Sequence, residues 1–299
     1  MAPISDNIRG AILMMAGMSA YTINDTFMKS LSDEVPLFEA VFWRGIGAVI
    51  CLTIMCKMLG QLRFDFPRRE WGLILLRTFG ELVGTYFFLT ALFHMPIANI
   101  SAILQSLPLT VSLAAALFLG DPLGWRRFTA ICVGFAGVLL IIRPGGADFN
   151  VFSVYALIAV AGVTLRDVVV RRMSRQVPSV FVALVAAFGV MSFGAVGCLF
   201  IETQPLSKTA ILQLSGATVF LICGYVCSVM AMRWGEISFV APFRYTSLLI
   251  ALVLGIVVFG DWPSLLTLCG AAIVVATGLF TLYRERQLRL RPSRIPSPR

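Results

Sequence analysis

The chain has 299 residues, of which 59% are hydrophobic and only 13% are charged, and its net charge is +9 at pH 7. A soluble domain carries about a quarter charged residues, so this composition excludes a soluble globular protein and makes lipid the main solvent. The apolar residues fall into continuous blocks of roughly 20, the length that a helix needs to cross a bilayer. Transmembrane strands are also excluded, because they would alternate apolar with polar residues.

Charged residues and prolines between the apolar blocks divide the chain into ten predicted transmembrane helices. In chain order they are expected at 10–31, 37–59, 71–93, 97–119, 126–142, 151–172, 178–200, 209–232, 237–259 and 264–283. The first span carries Asn24, Asp25 and Lys29, which are too polar for the core of a signal peptide, so we expect it to be retained. The sequence therefore predicts an all-α integral membrane protein with ten transmembrane helices.

The basic residues explain the net charge without nucleic acid once they are sorted by predicted side of the membrane. With the N-terminus inside, 17 of the 24 lie on the cytoplasmic side, three lie on the outer side, and four lie within spans. We therefore expect a multi-pass protein of a bacterial cell inner membrane with both termini in the cytoplasm. The tail at 284–299 mixes arginine with proline, so it is expected to be disordered and drawn to anionic lipid.

The chain matches itself at an offset of 140 to 142 residues. The matching positions are Asp25 with Asp167, Lys29 with Arg171, Pro36 with Pro178, Gly84 with Gly224, Ala91 with Ala231, Gly120-Asp121 with Gly260-Asp261, and Gly137 with Gly278. Each half holds five predicted spans, an odd number, so the second half must enter the membrane with the opposite orientation. The prediction is two inverted five-helix repeats, an architecture typical of secondary transporters, whose halves rock around a site near the middle of the membrane.

Several short motifs carry a resemblance to a known family. They are Phe42-Trp43-Arg44, Leu119-Gly120-Asp121, Trp125-Arg126-Arg127, the Gly-Phe-Ala-Gly-Val run at 134–138, and Arg143-Pro144-Gly145. In order, spacing and duplication, the chain resembles the EamA type of the drug/metabolite transporter superfamily over 7–143 and 150–283. Asp121 and Asp261 depart from the glutamate that this family usually has after Leu-Gly, which is a conservative change.

The resemblance implies a ten-helix fold with a central cavity and an organic solute as substrate. It does not identify that solute, because the family includes exporters of amino acids and drugs as well as importers of riboflavin or S-adenosylmethionine.

Ionisable residues inside a membrane span are costly unless they are paired or hydrated, so each is a candidate functional group. The helical rise places Asp25 and Arg44 in the outer third of the membrane, Asp167, Arg77 and Arg244 in the inner third, and Glu81 near the middle. The sequence thus predicts two acid–base clusters, one toward each face.

Two interpretations of these clusters stay open. In the first, Asp25 with Arg44, and Asp167 with Arg77 or Arg244, form fixed ion pairs that orient helices, and we favour this interpretation for Arg44. In the second, the same residues act in coupling or gating, because their pairs break and re-form as the halves rock.

Glu81 is the candidate for proton coupling, because a carboxylate near the membrane centre could load and release a proton near neutral pH. The alternative is a constant ion pair with Arg77, which lies four residues earlier on the same helix face.

Aromatic and polar residues complete the predicted substrate site. The predicted substrate-binding residues are Tyr21, Trp43, Glu81, Tyr86, Gln105, Tyr225, Arg244 and Tyr245. Phenol and indole faces beside hydrogen-bonding groups suit a planar solute with polar edges, which favours a heteroaromatic metabolite, riboflavin first and an adenosyl compound next. Pro108 and Pro242 are expected to break helices beside this site.

Other classes of protein fit the sequence less well. The seven cysteines and the single histidine have no recognised metal-binding spacing, and no nucleophile with a base is evident, so we expect no enzyme, metal or cofactor. The sequence has no Gly-x-x-x-x-Gly-Lys-Ser/Thr motif, so transport should not use an ATPase of this chain. A receptor or scaffold is the remaining alternative class. The expected partners are a small-molecule substrate and membrane lipid rather than nucleic acid, and a homodimer is one option for the assembly.

Overall fold

The computed structural model describes residues 6–121, 123–144, 149–174, 176–203 and 205–290, and these residues form helices and turns without a strand. The helices are α1 Asp6–Ser30, α2 Leu37–Met58, α3 Arg68–His94, α4 Ile97–Leu104, α5 Leu107–Leu119, α6 Trp125–Ile142, α7 Phe152–Val170, α8 Ser179–Cys198, α9 Lys208–Trp234, α10 Ile237–Val240, a 3-10 helix Ala241–Tyr245, α11 Thr246–Phe259 and α12 Leu265–Leu290.

The ten predicted spans correspond to ten helical segments. The pair α4 and α5 forms the fourth segment, and α10, the 3-10 helix and α11 together form the ninth. Within the described residues, nine segments are long and apolar enough to cross a membrane by length and composition. The first segment, α1, is not among these nine, because polar residues such as Asn24 and Asp25 lower its apolarity. It has 25 residues and packs along α9, one of the nine.

Prolines and glycines set several helix ends. Prolines stand immediately before α2, α3, α4 and α8, at Pro36, Pro67, Pro96 and Pro178. Proline has no N–H to donate and its fixed φ suits the start of a helix. The repeat-equivalent glycines Gly120 and Gly260 end α5 and α11 with φ of 74° and 69°, a left-handed conformation that glycine adopts without strain.

The C-terminal helix is longer than expected. The structure continues α12 to Leu290, so the prediction of disorder is wrong for 284–290. This stretch consists mostly of good helix formers, Arg284 Nη1 donates to Gln287 Oε1 at 2.9 Å, and the first proline comes only at Pro292. Residues 291–299 of the predicted tail lie outside the described residues.

The two halves pack together helix against helix. The most extensive contacts pair α1 with α9, α3 with α7, α2 with α8 and α6 with α12, and each pair joins the first half to the second. The set is unchanged when every helix is exchanged for its repeat equivalent, as expected for a pseudo-twofold axis between the halves. Glycines permit this closeness, since a Cβ on Gly162 would lie 2.7 Å from the backbone nitrogen of Gly84.

The order of these contacts confirms the inverted arrangement. Gly80 on α3 lies against Arg166 on α7, while Gly84, one turn later, lies against the earlier residues Ala159 and Val163, so α3 and α7 are antiparallel. Helices α1 and α3 run the same way, because α2 returns the chain between them. Helix α1 is therefore opposed to α7, its equivalent in the second half.

A large apolar cluster closes one end of the bundle, where α1 and α3 finish. Met28, Leu31, Leu92, Ile97 and Ile100 are fully buried in it. Residues from α9 and α11 of the second half join the same cluster. This packing leaves no space for a solute at that end of the described bundle.

Candidate functional site

A partly open cavity of about 470 Å³ lies between the two halves. Its walls come from α1 to α5 of the first half and from α7, α8, α9, the 3-10 helix and α11 of the second. Along α1 the lining runs from Met14 to Asp25, and Met28, one turn further, belongs to the apolar cluster. The cavity is therefore closed where α1 finishes and extends toward the end where α1 begins.

Most of the predicted substrate-binding residues line this cavity. Those that do are Tyr21, Glu81, Gln105, Tyr225, Arg244 and Tyr245. They come from α1, α3, the α4–α5 junction, α9 and the 3-10 helix, so segments far apart in sequence share one space. Polar groups also reach the cavity from Asn24, Ser101 and Ser228.

Two predicted residues, Trp43 and Tyr86, do not line the cavity. Trp43 is 44% exposed on the outside of the bundle, because the helical period points Arg44 inward and its neighbour away. Tyr86 packs in an aromatic group, with ring centroids 6.0 Å from Phe38 and 5.8 Å from Phe193. The structure therefore does not bring these two residues together with the other predicted substrate-binding residues.

Four charged residues form what we call the central ion cluster: Arg77, Glu81, Arg166 and Asp167. Arg77 Nη2 lies 2.9 Å from Glu81 Oε2, and Arg166 Nη1 lies 3.4 Å from Glu81 Oε1. Arg166 Nε also donates to Asp167 Oδ1 at 2.8 Å. Glu81 is thus held between two guanidinium groups, one from each half of the chain.

The structure corrects the predicted partner of Asp167. Its ion pair is with the adjacent Arg166, rather than with Arg77 or Arg244. Arg166 was not predicted as a site residue, although its position inside a span next to Asp167 was a usable signal. The Arg77–Glu81 pair predicted from their spacing is present.

In the second cluster, the side-chain amide of Asn24 connects Asp25 with Arg44 through two hydrogen bonds. Asn24 Nδ2 donates to Asp25 Oδ1 at 2.9 Å, and Arg44 Nη1 donates to Asn24 Oδ1 at 3.5 Å. Within the described part of the chain Asp25 forms no ion pair, so the predicted direct pair of Asp25 with Arg44 is wrong. Asn24 fills the position between them because its amide can both accept and donate.

Two broken helices meet at the cavity. The fourth segment is interrupted between Leu104 and Leu107, with Pro108 in the first turn of α5, and Pro242 lies in the 3-10 helix of the ninth segment. Both predicted breaks are confirmed. Gln105 Nε2 donates to Ser247 Oγ at 2.8 Å across the junction, and these positions are related by the 142-residue offset. The breaks thus meet near the pseudo-twofold axis.

Arginine donors remain available in the cavity wall. Arg244 lines the cavity, and its side chain has no hydrogen bond or ion pair to any described residue. The Nε and Nη1 atoms of Arg77 are likewise without a partner among the described residues, but they are buried and not exposed to the cavity. Donors such as those of Arg244 favour a solute that carries hydrogen-bond acceptors.

The described residues contain no group of three His, Cys, Asp or Glu side chains that could hold a metal ion.

Inverted repeats, interrupted helices and a polar cavity between the halves together define a multi-pass membrane protein with the architecture of a transporter. The sequence agrees, because it matches the EamA-like transporter family over residues 8–143 and 152–283. The chain belongs to that family.

Relatives across the family carry several transport names. A protein named S-adenosylmethionine uptake transporter from Rickettsia bellii is 26% identical, over 88% of this chain and 90% of its own. A riboflavin transporter from Vibrio cholerae is 26% identical, over 94% and 96% of the two chains. The pseudopaline exporter CntI from Pseudomonas aeruginosa is 22% identical, over 89% and 93%. A solved crystal structure with 20% identity covers 91% of this chain and 98% of its own with a TM-score of 0.60, which shows the shared fold.

Proposed function

We propose that this protein is a secondary transporter that imports a small organic metabolite across a bacterial inner membrane by alternating access. The main support for this proposal is the cavity between the inverted halves, which is closed at the end where α1 finishes. The positive-inside distribution supports cytoplasmic N- and C-termini, which would make this a conformation accessible from the cytoplasm. Rocking of the halves would then expose the same residues on the other side.

The proposed substrate is a planar heteroaromatic compound with polar edges. Tyr21, Tyr225 and Tyr245 place aromatic rings around the cavity, and Arg244 presents donors that have no partner among the described residues. Ring faces and edge acceptors of a heteroaromatic solute would satisfy both kinds of group. Riboflavin is the first candidate, and a relative with that name covers nearly the whole chain.

S-adenosylmethionine is the second candidate, and the unpaired donors favour it specifically. It offers an adenine ring to the tyrosines and a carboxylate to an arginine, which riboflavin lacks. Export of an amino-acid-like or drug-like solute is the further alternative, supported by the name of the pseudopaline exporter.

The proposed roles follow the position of each residue. Tyr21, Tyr225, Tyr245 and Gln105 shape the binding space, and Glu81 with Arg244 binds the polar edge of the solute. The coupling or gating residues are Asp25, Arg44, Arg77, Glu81 and Asp167, which lie in the two charged clusters.

The test is uptake of labelled riboflavin and of labelled S-adenosylmethionine into liposomes that contain the purified full-length protein, with protein-free liposomes as the control. Saturable uptake of one compound, competed by the same compound unlabelled, supports import and identifies the substrate. Uptake of neither compound, with efflux of amino-acid-like solutes instead, would replace import by export. Saturable binding without flux in either direction would indicate a receptor.

Replacing Tyr225 by leucine is expected to raise the KM for the transported compound roughly 10-fold, because an aromatic contact contributes about 0.5–1.5 kcal/mol beyond its buried area. Tyr225→Phe should retain most of the affinity, since it keeps the ring and loses only the hydroxyl, which donates to the Ser179 carbonyl oxygen at 3.3 Å. Trp43→Leu is the matched control, because Trp43 lies outside the cavity. Equal changes in KM for Tyr225→Leu and Trp43→Leu would argue against this cavity as the substrate site.

A further inference from the structure

The two repeat-equivalent aspartates, Asp25 and Asp167, have different neighbours. At the 142-residue offset, the residue before Asp167 is Arg166, and the residue before Asp25 is Asn24. Each neighbour donates to the Oδ1 atom of its aspartate, Arg166 Nε at 2.8 Å and Asn24 Nδ2 at 2.9 Å. The geometry is therefore repeated while the charge of the donor is not: Asp167 has a cation and Asp25 has a neutral amide.

Few charged groups face Asp25 from the elements around it. Arg44 on α2 donates to Asn24 and forms no hydrogen bond with Asp25, but its positive charge still acts on the Asp25 carboxylate. Lys29, one turn along α1, donates its ammonium protons to the carbonyl oxygens of Leu92 and Met95. Helices α4, α10 and α11, which also pack against α1, carry no titratable residue.

The other titratable groups of packed elements lie nearer the open end of the cavity, because Asp25 lies at its closed end. On α9, Phe220 stacks on Phe27 and so marks the stretch opposite Asp25. The titratable residues next along that helix are Cys223, which is exposed, and Tyr225, which lines the cavity. On α3, Glu81 is engaged by Arg77, and on the 3-10 helix Arg244 and Tyr245 line the cavity. Tyr21 lies one turn before Asp25 on α1.

A neutral donor permits either protonation state. When Asp25 is ionised, Asn24 Nδ2 donates to Oδ1; when a proton binds Oδ2, Oδ1 becomes a carbonyl oxygen that accepts the same hydrogen bond. Asp25 lines the cavity, so water there can deliver the proton and take it back. The step is balanced: a hydronium ion loses one proton, and one O–H bond forms on the carboxylate.

The two carboxylates of the central ion cluster are poorly suited to this role. Protonation of Glu81 would leave Arg77 and Arg166 facing each other with only Asp167 as a counter-charge. Protonation of Asp167 would remove the partner 2.8 Å from Arg166 Nε. In both cases a charged hydrogen bond to a guanidinium group of the cavity wall would be lost.

We propose that Asp25 binds and releases the coupling proton of this transporter, while Glu81 and Asp167 remain ionised as the fixed counter-charges of Arg77 and Arg166. The proposal rests on the proposed transport function. It replaces Glu81, the proton carrier expected from the sequence, with the aspartate whose neighbour is neutral.

The test is infrared difference spectroscopy of the purified full-length protein in lipid, which detects the C=O stretch of a protonated carboxylic acid. Spectra are compared between about pH 8.5 and about pH 6, a range in which exposed carboxylates stay ionised. We expect a single acid band to appear at the lower pH, to vanish in Asp25→Asn, and to shift in frequency but persist in Asp25→Glu.

Asn24→Arg tests the role of the neutral neighbour most directly, because it places an arginine before Asp25, as Arg166 stands before Asp167. The new guanidinium should keep Asp25 ionised, so the acid band should be lost from this range while the carboxyl group is still present. Asp167→Asn is the matched control, and it should leave the band unchanged.

The absence of an acid band in the native protein over this range would overturn the proposal, and so would a band that persists in Asp25→Asn. Neither result depends on a substrate, so each is separable from failure of the transport proposal, which the flux assay decides. If uptake is found, Asn24→Arg should also remove its dependence on an imposed pH gradient.

Discussion

Replacement of Glu81 by glutamine is expected to abolish transport and to lower the melting temperature of the purified protein. Glu81 is the shared counter-charge of Arg77 and Arg166, whose guanidinium nitrogens lie 2.9 and 3.4 Å from its carboxylate oxygens. With glutamine at this position, Asp167 would be the one negative charge left in the cluster to balance the two guanidinium groups. Removing one member of a fully buried pair costs about 3–5 kcal/mol. A quarter of the Glu81 side chain is accessible in the cavity, so we expect about 2–3 kcal/mol.

The control for this variant is Asp121→Asn. Asp121 also pairs with an arginine, Arg171, at 3.3 Å, but both side chains are more than 40% exposed. Exposed ion pairs contribute at most about 1 kcal/mol, so the melting temperature should change little. Thermal unfolding of both variants beside the native protein measures the difference. Equal effects at Glu81 and Asp121 would mean that the central ion cluster does not stabilise the fold.

Replacement of Gly162 by alanine is expected to destabilise the protein by about 2–3 kcal/mol and to impair transport strongly. The added Cβ would lie 2.7 Å from the backbone nitrogen of Gly84 and 3.0 Å from the backbone oxygen of Gly80, so α3 and α7 would have to move apart. Backbone atoms of a packed helix cannot yield as a flexible side chain can. The same two helices carry Glu81 and Arg166, so their separation would also lengthen the ion pair that joins the halves.

Two further glycines of α3 provide a graded comparison for this prediction. A Cβ on Gly84 would meet a side-chain methyl of Val163 at 3.1 Å, so Gly84→Ala should cost less than Gly162→Ala. A Cβ on Gly72 would meet nothing within 4 Å, so Gly72→Ala should be neutral or slightly stabilising, as alanine is the better helix former. Melting temperatures that fail to follow this order would contradict the role assigned to the α3–α7 contact.

The residues that line the cavity were predicted unevenly from the sequence. Tyr21, Tyr225 and Tyr245 were placed correctly, while Trp43 and Tyr86 were not. An aromatic residue in an apolar helix can face a cavity, lipid or a neighbouring helix, and its own position does not distinguish these surroundings. Only the rotation of each helix in the folded bundle decides which face meets the cavity.

The sequence by itself determined the spans, the duplication and the inversion. In lipid, each crossing segment must satisfy its own backbone hydrogen bonds over about 20 apolar residues. Each span can therefore be recognised from its own stretch of sequence. The odd number of spans in each half then fixes the opposite orientation of the repeats. The family follows from the same order and spacing of motifs.

The tertiary structure alone decided which charges meet. The sequence predicted direct pairing of Asp25 with Arg44 and of Asp167 with Arg77 or Arg244. In the folded chain, Asn24 lies between Asp25 and Arg44, and Asp167 forms its ion pair with Arg166. Ion pairing depends on the positions of a few side-chain atoms to within about an ångström, and these are set by close glycine contacts between helices far apart in the sequence. Depth along a helix is a local property, whereas the partner across the interface is not.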